Sequence, residues 1–142
     1  MEIATSALIV ALKTVAALQI GIALLNLFIE RLLGWRAELE RADRLLREVF
    51  RVHSWFISVT LALFGSLTWR FAEETALGGN DACRWLSTGI GLFWALRTVL
   101  QVAYYSSSHW RGRPGRTAIH VSLLVMYGGM ALVYLWCGLG SV

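Results

Sequence analysis

Four long apolar runs divide the chain, and polar segments containing turn residues separate them. The runs cover about residues 10–33, 52–71, 85–105 and 118–139. A helix rises about 1.5 Å per residue, so each run is about as long as the hydrocarbon core of a bilayer is thick. The pattern predicts an all-α protein with four membrane-spanning helices. Short links between the spans favour an up-down-up-down four-helix bundle, forming a single transmembrane domain over residues 1–142.

The segment 36–51 has a different pattern, rich in both arginine and acids. Its apolar positions, among them Leu39, Leu46 and Phe50, recur at helical spacing. Arg36 and Glu40 lie four residues apart, as in helical ion pairs. The segment is therefore predicted to be a cytoplasmic amphipathic helix between spans 1 and 2. It either docks a partner or acidic lipid head groups, or merely connects two spans.

Composition and charge support the membrane assignment and suggest an orientation. A chain that is 57% hydrophobic and 15% charged is not a typical soluble domain. Most arginines in the loops follow spans 1 and 3, which places those loops in the cytoplasm and both termini outside. This distribution explains the net charge of +4 without nucleic-acid binding. We expect an integral protein of a bacterial cytoplasmic (inner) membrane.

Arg97 is the most informative residue, because it falls near the middle of the third apolar run. A charge at the bilayer centre costs at least about 2.5 kcal/mol and usually faces the bundle interior, a partner or a water-filled cavity. Glu30 is the one acid inside a span and is the candidate counterion within the chain. If that pair does not form, an anionic ligand is the natural counterion.

Polar residues on all four spans cluster at the depth of Arg97 or nearer the cytoplasmic surface. This bias predicts a polar site open to the cytoplasm, with a hydrogen-bond network that locks the bundle as the alternative. The candidate ligand-binding residues are Asn26, Glu30, His53, Arg97, Gln101, Tyr104, His120 and Tyr127. No catalytic residue is assigned, and whether the protein is an enzyme stays open.

Three kinds of membrane-resident ligand suit this site. His53 and His120 lie at matching depth on spans 2 and 4, as two axial ligands of a b-type haem would, with arginine on a propionate. A quinone needs only an apolar slot with one or two donors. A lipid head group suits the basic loop that carries Arg111, Arg113 and Arg116, although that loop is also explained as a topology signal. No metal site is predicted, because no helix carries paired His and carboxylate ligands.

Cys83 begins span 3 and Cys137 ends span 4, so both are predicted at the outer surface on antiparallel helices. In an oxidising compartment they could form a disulfide. Two separate reduced cysteines are the alternative.

Two functional hypotheses follow. In the first, the polar site binds haem, a quinone or a lipid, in electron transfer or lipid metabolism. In the second, the protein is a non-catalytic accessory subunit or scaffold, with membrane lipids and a protein partner or a second copy as its contacts. The small residues Ser58, Ala62 and Gly65 form a strip on span 2 that would let another helix approach closely.

Overall fold

A computed structural model of the chain describes residues 2–32, 34–78, 81–104 and 114–140. Within these ranges the helices are, in chain order, α1 (Glu2–Leu27), α2 (Ile29–Leu32), α3 (Arg36–Arg41), α4 (Arg44–Arg70), α5 (Ala72–Leu77), α6 (Asp81–Ala103) and α7 (Pro114–Leu139). The prediction of an all-α chain is confirmed for this described part, which contains no strand.

Four of the helices are long and apolar enough to cross a membrane: α1, α4, α6 and residues Thr117–Leu139 of α7. The prediction of four spans is confirmed at this level, and the helices are compatible with an integral membrane protein. The bounds differ most for the first span. It begins at Glu2 and ends at Leu27, whereas the apolar pattern suggested about residues 10–33.

Gly34 ends α2, the short helix that follows α1. Gly34 has a φ of +68°, the left-handed conformation that glycine adopts at little cost. Its N–H donates to the carbonyl of Arg31 at 3.3 Å, and the N–H of Trp35 donates to the carbonyl of Glu30 at 3.0 Å. This pair of bonds is the Schellman arrangement, so α2 stops here and the chain turns into α3.

The predicted amphipathic helix over 36–51 is wrong as a separate, continuous element. The structure has the six-residue α3, an extended Ala42 with a ψ of 158°, and then α4, which begins at Arg44 and continues as the second span. Asp43 explains the break, because its Oδ1 accepts a hydrogen bond from the N–H of Leu45 at 3.0 Å. A side-chain acceptor at this position caps a new helix. The expected Arg36–Glu40 pair is confirmed, at 3.1 Å.

The chain forms two compact units, and each is described by itself. The central unit comprises residues 13–70, and the C-terminal unit comprises residues 1–12 with 71–142. The prediction of a single transmembrane domain stays a prediction.

In the central unit, α1 and α4 approach each other closely at Gly65. A Cβ added there would lie 2.7 Å from Cγ1 of Ile20 and 2.9 Å from the carbonyl oxygen of Ala16. Only a residue without a side chain fits this approach, so the predicted role of the small-residue strip is confirmed at Gly65.

In the C-terminal unit, α6 packs against α7 through two more glycines. A Cβ at Gly91 would lie 3.0 Å from the backbone nitrogen of Leu135. A Cβ at Gly138 would lie 2.7 Å from the backbone nitrogen of Thr88 and 3.0 Å from the carbonyl oxygen of Arg84. The residue numbers of these contacts run in opposite directions, so the two helices are antiparallel.

Candidate functional site

The C-terminal unit holds five of the predicted site residues, and four of them make contacts between α6 and α7. Arg97 is partly buried, and its Cζ lies 4.9 Å from the centroid of the Tyr127 ring. This is cation–π distance, worth about 0.5–2 kcal/mol depending on desolvation. The same ring stacks on the indole of Trp94, with centroids 5.2 Å apart and the planes inclined by 26°. Arg97 on α6 therefore contacts the Tyr127 ring of α7, which in turn stacks on Trp94 of α6.

One turn beyond Arg97, α6 carries a second contact with α7. Gln101 is 3% exposed, and its Nε2 lies 3.0 Å from Nδ1 of His120. With the amide nitrogen as donor, Nδ1 is the acceptor of this bond. The pairing of Gln101 with His120 places two predicted site residues in one hydrogen bond.

Arg97 lies closer to one end of its helix than the sequence suggested. It stands six residues before Ala103, the last residue of α6, which is about 9 Å along the axis. Asp81 begins α6 at the opposite end, sixteen residues and about 24 Å away. Within the described residues of this unit, no carboxylate forms an ion pair with Arg97, and the Tyr127 ring is its one charge-stabilising contact.

Two buried polar atoms flank Arg97 on the same face of α6. They are Nε1 of Trp94, a donor, and Oε1 of Gln101, an acceptor, and neither has a hydrogen-bond partner among the described residues. Trp94 is only 2% exposed. A buried polar atom left without a partner costs about 1–3 kcal/mol. On this face of α6, two buried polar atoms thus lack a hydrogen-bond partner and the guanidinium of Arg97 lacks a carboxylate partner among the described residues.

The central unit brings together two other predicted residues with partners of their own. Asn26 donates from Nδ2 to the carbonyl of Ser54 at 2.9 Å and to Oγ of Ser58 at 3.0 Å, which ties α1 to α4. Glu30 lies 3.6 Å from Nε of Arg51, measured from its Oε1. Glu30, the candidate counterion of Arg97, thus has an arginine next to it in its own unit, and Asn26 acts as a link between two helices.

The other predicted ligand-binding and head-group residues are not part of the contacts described above. His53 is exposed on α4, and Tyr104, in the turn after α6, is 82% exposed. Arg111, Arg113 and the side chain of Arg116 lie outside the described residues. In the described ranges no three His, Cys, Asp or Glu side chains are grouped so that they could hold a metal ion.

Cys83 and Cys137 are both buried and both carry free thiols. No disulfide joins them in the structure, and the disulfide in an oxidising compartment stays a prediction. Each lies in the packed part of its helix, where a free cysteine behaves as a small apolar residue.

An open, largely apolar groove lies elsewhere, in the central unit. Its lining consists of Ala17, Ile20, Ser66 and Trp69. None of the predicted site residues is among them.

The sequence reasoning missed Trp94 and Arg51. Trp94 was one of many aromatic residues in an apolar run, yet its spacing of three residues from Arg97 and seven from Gln101 places all three on one helical face. That spacing was the signal that could have found it. Arg51 was assigned to the amphipathic segment, and only the continuation of α4 brings it beside Glu30.

No protein-family model, curated protein or solved structure matches the chain.

Proposed function

We propose that this protein spans a membrane four times and binds the anionic or hydrogen-bond-accepting end of a small membrane-resident ligand at Arg97. One observation carries the proposal. Arg97 sits inside a helix of spanning length and contacts an aromatic ring, while no carboxylate of the described residues in its unit pairs with it. A guanidinium in that setting is stabilised by an anion or by hydrogen-bond acceptors from a ligand. A lipid head group, a haem propionate and a quinone carbonyl all supply such acceptors.

The proposal includes an orientation for the four spans. They form an up-down-up-down bundle in a bacterial cytoplasmic membrane, with the Arg-rich segments after α1 and α6 in the cytoplasm and both termini outside. Arg97 then lies in the cytoplasmic half of the bilayer, because α6 runs toward its cytoplasmic end at Ala103. This position gives a ligand access from that leaflet. A role in electron transfer or lipid metabolism would follow from the ligand's identity.

A pair of reporter fusions at the C-terminus tests the orientation. We expect alkaline phosphatase to be active there and green fluorescent protein to be dark, because the first folds only outside the cytoplasm of a bacterial cell and the second only inside. Fusions after residue 42, in the predicted cytoplasmic segment, serve as the reverse control. A fluorescent C-terminal fusion would contradict the orientation.

A second candidate function is an accessory subunit of a larger membrane complex. Three glycines favour it: a Cβ added at Gly21, Gly89 or Gly129 would meet nothing within 4 Å. Open small-residue positions on three spans are suitable for close approach by helices of another protein.

Co-purification separates the two functions. Wild type, Arg97→Leu and Arg97→Lys are purified in mild detergent, and bound small molecules are identified by mass spectrometry and by absorption spectra before and after dithionite. Since a hydrogen bond to a charged group contributes about 1.5–3 kcal/mol, we expect Arg97→Leu to retain at most about a tenth of the ligand. Arg97→Lys keeps the charge but not the planar stacking on Tyr127, so partial retention is expected.

Arg36→Leu is the matched control, because Arg36 is exposed and pairs with Glu40 on the same short helix. This variant should retain the ligand fully. Equal retention by Arg97→Leu, with a circular dichroism spectrum unchanged, would contradict ligand binding at Arg97. A stoichiometric protein partner that is lost from Arg97→Leu would support the accessory subunit instead.

A further inference from the structure

We propose that the ligand is a phosphodiester lipid whose head group also carries a hydroxyl donor, such as phosphatidylglycerol. The inference rests on the proposed function and specifies the chemistry of the ligand at the same site. It comes from the two unsatisfied atoms beside Arg97, which have opposite hydrogen-bonding character.

A ligand that offers only acceptors cannot satisfy both atoms. The indole N–H of Trp94 needs an acceptor, whereas Oε1 of Gln101 needs a donor. An ionised propionate or a quinone carbonyl accepts hydrogen bonds but donates none. The ligand must therefore combine an acceptor, an anion for Arg97 and a donor.

The order of these groups along α6 matches the order of groups in a phospholipid. Trp94 is deepest, Arg97 lies three residues closer to the end at Ala103, and Gln101 lies four residues beyond Arg97. The two outer positions are about 10.5 Å apart along the axis. An acyl ester carbonyl would accept from Trp94, the phosphate would pair with Arg97, and a head-group hydroxyl would donate to Gln101. This arrangement points the acyl chains toward the bilayer centre and the hydroxyl toward water.

Gln101 leaves its amide oxygen for the outermost group. The amide nitrogen lies 3.0 Å from Nδ1 of His120, and Oε1 is the amide atom without a hydrogen-bond partner among the described residues. Both unsatisfied atoms are covered in the structure. The side chains that cover them are displaced when the head group enters.

The test compares phosphatidylglycerol with phosphatidylmethanol, which has the same phosphodiester charge and the same acyl chains but no hydroxyl. Binding of each lipid to the detergent-purified full chain is titrated by native mass spectrometry. We expect wild type to prefer phosphatidylglycerol about tenfold, the worth of satisfying one buried acceptor. In Gln101→Leu the preference should disappear, because no acceptor is left for the hydroxyl.

The outcomes separate this inference from the proposed function. Equal binding of the two lipids by wild type, with both lost in Arg97→Leu, would overturn the hydroxyl requirement and leave the anion site standing. Retention of both lipids by Arg97→Leu would overturn the anion site itself. The wild-type comparison decides the hydroxyl requirement even if Gln101→Leu fails to fold. Trp94→Phe keeps an aromatic ring but removes the N–H, and it should weaken the binding of both lipids by the same several-fold factor.

Discussion

Gly138→Ala is expected to lower the free energy of unfolding by about 1–3 kcal/mol, although alanine is the better helix former. The added methyl group would lie 2.7 Å from the backbone nitrogen of Thr88 and 3.0 Å from the carbonyl oxygen of Arg84, and it would also meet Oγ1 of Thr88. Backbone atoms cannot rotate away as the end of a side chain can, so α6 and α7 must move apart. Interhelical packing at Trp94 and Tyr127 would loosen as a result.

Gly129→Ala is the matched control in the same helix. A Cβ at Gly129 meets nothing within 4 Å, so only the gain in helix propensity remains, about 0.5–1 kcal/mol in favour of alanine. Unfolding in mixed micelles, followed by circular dichroism as the fraction of denaturing detergent increases, should thus shift in opposite directions for the two variants. Equal shifts would show that the close approach of α6 and α7 at Gly138 is not as described.

Arg97→Leu is expected to improve membrane insertion of α6 while it removes ligand binding. At the centre of a span, replacing arginine by leucine gains about 3 kcal/mol. The gain is smaller for Arg97, which is about 9 Å from the end of α6, and the lost contact with Tyr127 opposes it by about 0.5–2 kcal/mol. Within the described residues of its unit, no carboxylate pairs with Arg97, so the substitution leaves no acid unpaired there. The gain from removing the charge therefore exceeds the loss of the Tyr127 contact, by about 1–2 kcal/mol.

The measurement is the ratio of inserted to non-inserted α6 in the full-length chain, read from glycosylation acceptor sites placed on either side of the helix. A gain of 1–2 kcal/mol corresponds to a factor of about 5–30 in this ratio. Arg97→Lys keeps the charge and should leave the ratio near that of wild type. Poorer insertion or assembly of Arg97→Leu would mean that an acidic partner does neutralise Arg97, which would favour the accessory-subunit function.

The number and nature of the long helices could be predicted because each depends on a local property, the run of apolar residues. Their ends could not, since short-range bonds decide them. In the sequence, Asp43 is one acid among several in a basic segment. In the structure its Oδ1 accepts a hydrogen bond from the N–H of Leu45 and caps α4. The rest of that segment therefore forms the beginning of α4. Gly34 likewise stops α2 through its left-handed backbone.

The candidate site was predictable in part for a similar reason. The spacing of Arg97 and Gln101 placed them on one face of a helix, and the structure keeps them there. Partners across helices depend on packing that no local pattern contains: Gln101 meets His120, and Asn26 meets Ser58. The polar layer across all four spans was predicted only from the depth of each polar residue along its span. Depth does not reveal rotation about the helix axis, and His53 is accordingly exposed on α4.

The most direct test of ligand binding at Arg97 is the mass of the intact protein released from native bilayers into the mass spectrometer. We expect one bound small molecule per wild-type chain, the same adduct at the same occupancy on Arg36→Leu, and at most about a tenth of that occupancy on Arg97→Leu. An adduct of unchanged mass and occupancy on Arg97→Leu would contradict the assignment of Arg97 as the residue that holds the ligand.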